Sequence, residues 1–120
     1  EVSAIYDITH GAGLAILFPN VLKYYLDKDI AGSLPLTKFL NLGKNVFNVA
    51  NSDEKTAAYE TIEKIRDFFN TLDMPSKLSD ENVDDSKIDI MAKGAARKGT
   101  LGYYHMIEEK DIFEILKNSL

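Results

Sequence analysis

Apolar residues recur along much of the chain at intervals of three and four, the spacing of one face of an α-helix. No segment alternates apolar and polar residues in the sustained way that is typical of β-strands. The pattern predicts an all-α fold, an irregular bundle of about five to six helices that differ too much for a symmetric up-and-down arrangement. The predicted helices cover about residues 10–26, 34–50, 53–73, 86–98 and 108–119, and a single turn is expected at 79–82.

The third of these helices has the clearest pattern. Ser52 is the expected N-cap, and acidic residues follow in the first turn, where the helix dipole favours them. The last helix is expected to begin near Glu108, with Asp111 as a reciprocal capping residue and a contact between Ile107 and Ile112. The apolar stripe of the third helix comprises Ala58, Ile62, Ile65, Phe69 and Leu72.

The first long connection is expected after Leu26. The charged residues 27–29 and Gly32 predict a loop, and Ser33 is the expected N-cap of the second helix, since Pro35 is tolerated in a first turn. Residues 100–106 are irregular and aromatic. Residues 80–85 are rich in acids and are expected to form a solvated loop, because the glycine and closing glutamate of a calcium loop are lacking.

Composition narrows the class of partner. The 120 residues are 45% hydrophobic, enough for a core, and carry a net charge of -5, which argues against nucleic acid or an anionic membrane as partner. The chain has no cysteine and no visible signal peptide, and its apolar run near Pro19 is too short to span a bilayer. We therefore expect a cytoplasmic protein. Because the pattern starts abruptly at Glu1, a cut inside a longer protein is expected, with N-terminal processing as the alternative.

One candidate ligand stands at the start of the first helix. Thr9 is an expected N-cap, which places His10 in the first turn, where the positive end of the helix dipole favours an uncharged ring. Neutral imidazole is the form that binds metals. The residues alone leave a second interpretation open, a capped surface histidine at a helix start.

The run from Tyr6 to Pro19, YDITHGAGLAILFP, resembles the iron-containing (group III) alcohol dehydrogenases, in particular their butanol dehydrogenase-like branch. Later pieces agree with this resemblance, which spans essentially the whole chain: the sequence LDMP at 72–75, LGY at 101–103 and EKDI at 109–112. The His-Gly pair with its apolar helix is the specific part.

The resemblance implies an α/β domain that binds NAD or NADP and a helical domain that supplies most ligands of one divalent metal. The metal, iron with zinc as the alternative, would be held by an aspartate and three histidines, of which His10 is the last. The other ligands would precede Glu1. Residues 1–120 are then a single helical domain, truncated at its N-terminal side and without the nucleotide-binding domain.

This family implies an oxidoreductase that interconverts a small alcohol and an aldehyde by hydride transfer to or from NAD(P), with the metal as Lewis acid. The isolated chain is expected to be inactive and to bind neither metal nor cofactor stably, because a stable metal site needs three or four donors.

Other residues have simpler interpretations beside functional ones. Asp7 is a turn or capping acid, or else a ligand or an acceptor for the His10 imidazole. His105 is packed or exposed, or else an acid–base group or ligand. Gly11 and Gly13 allow close packing rather than forming a phosphate cradle. Tyr103 and Tyr104 are expected to pack in the core, with the lining of a substrate pocket as the alternative.

A second class of function stays open. The chain could be a non-catalytic helical module for interaction or dimerisation. Separation from a cofactor domain would expose apolar surface, so we expect a homo-oligomer. The residues upstream of Glu1 would discriminate between the two classes.

Overall fold

The structure, a computed structural model, describes residues 1–120 and confirms the all-α class with six helices. Two short 3₁₀ turns, Leu78–Glu81 and Asp85–Lys87, lie between the helices Glu54–Thr71 and Ile88–Ala95, and the first agrees with the single turn predicted there. No helix is both long enough and apolar enough to cross a membrane. The helices are α1 (Val2–Tyr6), α2 (His10–Ala31), α3 (Thr37–Phe47), α4 (Glu54–Thr71), α5 (Ile88–Ala95) and α6 (Glu109–Lys117).

Helix α2 is the central element because it contributes to two separate apolar cores. Ile16, in its first half, is fully buried in a core that α1, α5 and α6 complete. Leu26, in its second half, is fully buried in a smaller core with residues of α3 and α4. The expected end at Leu26 and the loop at 27–29 are therefore wrong, since α2 continues for more than a turn to Ala31.

The sequence pattern did not reveal α1. This short helix ends at Asp7, which has the left-handed backbone conformation with φ 54°. Tyr6 donates a hydrogen bond to Asp84 Oδ1 at 2.8 Å, which joins α1 to the segment before α5. Five residues are too few to show a helical period, so contacts distant in sequence define this element.

Both boundaries of the second predicted helix differ from the expectation. Ser33 is not a cap, because its φ of 52° places it in the turn after α2, and α3 begins only at Thr37. Helix α3 ends at Phe47, and Asn48, also left-handed, closes it. The backbone turns at Ser33 and Asn48 thus shorten the helix at each end.

Helices α3 and α4 pack closely at Gly43, where a β-carbon would clash with the Thr61 hydroxyl. Gly43 therefore lets the helices approach each other. Helix α4 is capped by Asp53, which accepts a hydrogen bond from the Thr56 amide at 2.8 Å, and not by Ser52 as predicted.

The C-terminal helix begins as predicted. The Glu108 amide donates to Asp111 Oδ2 at 2.9 Å, which confirms the reciprocal cap, and Ile107 and Ile112 are both buried in the first core. The preceding segment forms one antiparallel bridge between Leu101 and Ile107, so residues 102–106 lie on a short loop. This bridge fixes where the loop leaves the core.

Candidate metal ligand

His10 lies at the first position of α2, and the local sequence accounts for its placement. Thr9 has an extended backbone, and its hydroxyl accepts a hydrogen bond from the Ala12 amide at 3.3 Å. This is the predicted cap, and it satisfies one of the amides that a helix start leaves without an intrahelical partner. His10 is therefore held at the positive end of a 22-residue helix.

The imidazole of His10 is available to a ligand. The residue is exposed, and its ring makes no hydrogen bond or ion pair within the chain. No group of three or more histidine, aspartate and glutamate side chains is arranged to hold a metal ion. The chain thus presents one nitrogen donor at this point and not a complete coordination site.

The residues around His10 have structural roles. Asp7 forms the left-handed turn between α1 and α2, in agreement with its interpretation as a turn residue. A β-carbon on Gly11 would lie 3.7 Å from Met74 Cε, and one on Gly13 would lie 3.6 Å from Ser3 Oγ. These are ordinary contact distances, so both glycines border other side chains without being required by them.

On the C-terminal side of His10, the same face of α2 carries exposed apolar side chains. Leu14 and Phe18 follow at intervals of four residues, which places them on nearly the same side of the helix. Their exposures are 53% and 46%, high values for large apolar side chains in a helix whose other face is buried. A ligand at His10 would therefore border an apolar surface.

A second polar cluster lies near the other end of α2, around Asp29. Its carboxylate is fully buried and accepts a hydrogen bond from Tyr104 Oη at 2.7 Å. His105 Nε2 lies 2.6 Å from the other carboxylate oxygen. The hydrogen bond to Asp29, followed by burial, raises the pKa of Tyr104. Asp29 thus attaches the loop at 102–106 to α2.

The sequence interpretation missed this cluster because Asp29 was assigned to a loop after the first helix. The expected core packing of the two tyrosines is wrong for Tyr103, which is fully exposed, and Tyr104 is held by a hydrogen bond at the surface. His105 is partly buried against Asp29. The partners in this cluster are 75 and 76 residues apart, and no local motif signals them.

The acidic segment at 80–85 also has structural contacts. Asp80 accepts hydrogen bonds from the amides of Ser76 and Lys77, and Asp84 accepts one from the amide of Ser86. Both acids are exposed, in agreement with a solvated segment. Their contacts are those of turn and capping residues.

A family model and individual relatives of this chain indicate the same family. The family model described as Fe-containing alcohol dehydrogenase family, C-terminal, matches residues 1–120. The chain is 43% identical over 122 residues to NADH-dependent butanol dehydrogenase A of Clostridium acetobutylicum, covering 99% of the chain and 30% of that protein. It is 37% identical over 124 residues to a probable NADH-dependent butanol dehydrogenase 2 of Bacillus subtilis, covering 99% of the chain and 30% of that protein.

A solved structure agrees with these relatives. The crystal structure of NADH-dependent butanol dehydrogenase A from Thermotoga maritima superposes with a TM-score of 0.80 at 29% identity. The match covers 98% of this chain and 30% of that one. The chain spans about a third of the length of the butanol dehydrogenases it matches, since it covers 30% of each.

Proposed function

The chain belongs to the iron-containing alcohol dehydrogenase family, whose C-terminal region it matches, and on that premise we propose that the protein carrying it interconverts an alcohol and an aldehyde. Residues 1–120 would form a single helical domain of that protein, and a nucleotide-binding domain would lie outside this sequence. The relatives named as NADH-dependent butanol dehydrogenases support a short-chain substrate and NAD(H) as the hydride carrier.

The proposed contribution of this chain to the reaction is one metal ligand, His10. The observation that carries this proposal is its exposed imidazole, which has no partner in the chain and stands at a capped helix start within the matched region. A divalent metal there, iron with zinc as the alternative, would supply Lewis-acid polarisation of the substrate oxygen. His10 would provide one neutral nitrogen donor, and the cap at Thr9 would hold the helix start that positions it.

The neighbouring side chains would control the surroundings of that donor. Leu14 and Phe18 lie on the face of α2 that begins at His10, and their apolar groups would exclude water beside a bound substrate. They would also accommodate the alkyl part of a short-chain alcohol. This arrangement fits a substrate that is polar at one end and apolar at the other.

We extend the proposal to the isolated chain. With His10 as a single donor and no cluster of further donors around it, residues 1–120 would bind divalent metal weakly, because a stable site needs three or four ligands. The chain alone would have no dehydrogenase activity. The assay follows the oxidation of NADH or NADPH with butyraldehyde as the substrate to be reduced. Turnover by the isolated chain above that of its His10→Ala variant would contradict this proposal.

The full-length protein provides the direct test of the ligand role. His10→Ala should lower both the bound metal, measured by elemental analysis, and the turnover of butyraldehyde. The other histidine offers a matched control, since His105→Gln should retain the metal content of the wild type. Full metal occupancy in the folded His10→Ala protein would show that His10 is not a ligand.

An association surface is the second candidate function, and the exposed apolar side chains favour it. Helices α2 and α4 run antiparallel, because Met74 lies beside Gly11 and Arg66 donates to Asn20 Oδ1 at 3.3 Å. This register places the apolar end of α4 level with the half of α2 that carries His10. The large exposed side chains at that level are Leu14, Phe18, Phe68 and Leu72. Two copies of the chain would bury these four side chains against each other, so the chain would self-associate.

A further inference from the structure

A small cavity lies between α2 and α3, beside the loop at 102–106. Its volume is about 260 Å³, and apart from one lysine its lining is aliphatic and aromatic. An engineered apolar cavity of roughly 150 Å³ is large enough to bind benzene, so this one has room for a single ring or a short alkyl chain. The lining residues are Leu22, Tyr25, Lys38, Phe39, Leu42 and Tyr104.

The aromatic wall of this cavity is held in place from behind. Tyr104 donates its hydroxyl proton to the fully buried carboxylate of Asp29 at 2.7 Å. Tyr25 packs against this wall, with its ring centroid 5.7 Å from that of Tyr104 and 5.6 Å from that of His105. A ligand would therefore meet rings that are already ordered, which lowers the entropy cost of binding.

The one charged lining group is Lys38. Its ammonium lies 4.5 Å from the centroid of the Tyr104 ring and forms no ion pair with an acid of the chain. Asp29, the nearby carboxylate, is already bound to Tyr104 and His105. Lys38 is thus a cation without a carboxylate partner at the edge of an apolar cavity, in a chain of net charge -5.

From this arrangement we propose that the cavity between α2 and α3 binds a small organic monocarboxylate, with its apolar body against Tyr25, Phe39 and Tyr104 and its carboxylate on Lys38. A charge-assisted hydrogen bond from an ammonium to a carboxylate is stronger than a neutral one. An apolar body is needed because the rest of the lining offers little polar surface. The cavity is separate from His10. Tyr25, which lines the cavity, lies 15 residues after His10 on α2, and this is a separation of about four helical turns.

The test uses benzoate as the probe, with benzyl alcohol as its uncharged analogue, on the full-length protein. Isothermal titration calorimetry should give saturable benzoate binding that Lys38→Met weakens about tenfold or more. Lys44→Met, an exposed lysine on the same helix, is the matched control and should leave the affinity unchanged. Benzyl alcohol should bind more weakly than benzoate.

Several results would overturn the proposal. These are an absence of saturable benzoate binding, equal affinities of Lys38→Met and wild type, and benzyl alcohol binding as tight as benzoate binding. Lys38 is exposed, so its replacement should leave the fold intact, and circular dichroism of each variant verifies this. Loss of metal from His10→Ala protein would not affect the outcome, so this proposal and the ligand role of His10 can fail separately.

Discussion

Removal of the Asp29 carboxylate should destabilise the 120-residue chain strongly. Asp29→Ala deletes the acceptor of two contacts, from Tyr104 at 2.7 Å and from His105 at 2.6 Å. A hydrogen bond to a buried charged group contributes about 1.5–3 kcal/mol. Tyr104 and His105 are partly exposed and can bond to water after the change, so the expected loss is about 2–4 kcal/mol rather than the full sum.

The helix dipole has an opposing effect on the stability of Asp29→Ala, and this effect is smaller than the loss of the two contacts. Asp29 lies in the last turn of α2, where the helix dipole disfavours a negative charge by about 0.3–1 kcal/mol. Its removal would recover at most that amount, so the net change remains destabilising. Because a domain is stable by only about 5–15 kcal/mol, the loss should be easy to measure.

Urea unfolding followed by circular dichroism measures this change near pH 7. Asp29→Ala should shift the midpoint to lower urea, while Asp29→Asn, which keeps an oxygen acceptor, should lose less. Asp67, an exposed acid of α4 without an ion pair, provides the control, and Asp67→Ala should stay within about 0.5 kcal/mol of wild type. An Asp29→Ala protein as stable as the Asp67→Ala protein would refute the reasoning.

Three further predictions follow from individual contacts. Gly43→Ala should cost about 1–2 kcal/mol in urea unfolding, because the added methyl meets Thr61 and overpacking outweighs the gain in helix propensity; an unchanged midpoint would contradict the close helix approach. The hydrogen bond to Asp27 raises the pKa of Tyr59 to about 12, so the stabilisation from this contact should be fully present below pH 10 and should be lost between pH 10 and about pH 12. The free energy of unfolding of Tyr59→Phe should fall less over that range, and equal pH profiles of the variant and the wild type would contradict this prediction. Sedimentation of the isolated chain should show a concentration-dependent dimer or larger species that Phe18→Glu weakens, and a monomer at all concentrations would exclude association through this face.

Local signals in the sequence were sufficient where both partners of a contact lie within a few residues. The cap of α2 involves Thr9 and Ala12, and the reciprocal cap of α6 involves Glu108 and Asp111. Such contacts form within one helical turn and depend little on the rest of the chain. Correct prediction of these starts also placed His10 at the beginning of its helix.

The boundaries that failed depend on partners distant in the sequence. The charged residues around Asp29 predicted a polar loop. In the structure Asp29 is buried against Tyr104 and His105, and α2 continues for an extra turn through this segment. Ser33 reads as a cap, yet it adopts the left-handed turn that ends the extended α2. Neither outcome follows from local propensity, which tertiary contacts override.

The sequence by itself therefore determined the all-α class, the starts of α2 and α6, the position of His10 and the resemblance that led to the family. The tertiary structure decided that α2 runs on to Ala31, that Asp29 is buried against the loop at 102–106, and that an apolar cavity edged by Lys38 lies beside it. The physical reason is the range of the interactions involved. Capping and helical periodicity act within a turn or two of one segment, whereas burial of a carboxylate and the walls of a cavity arise from segments that meet only in the folded chain.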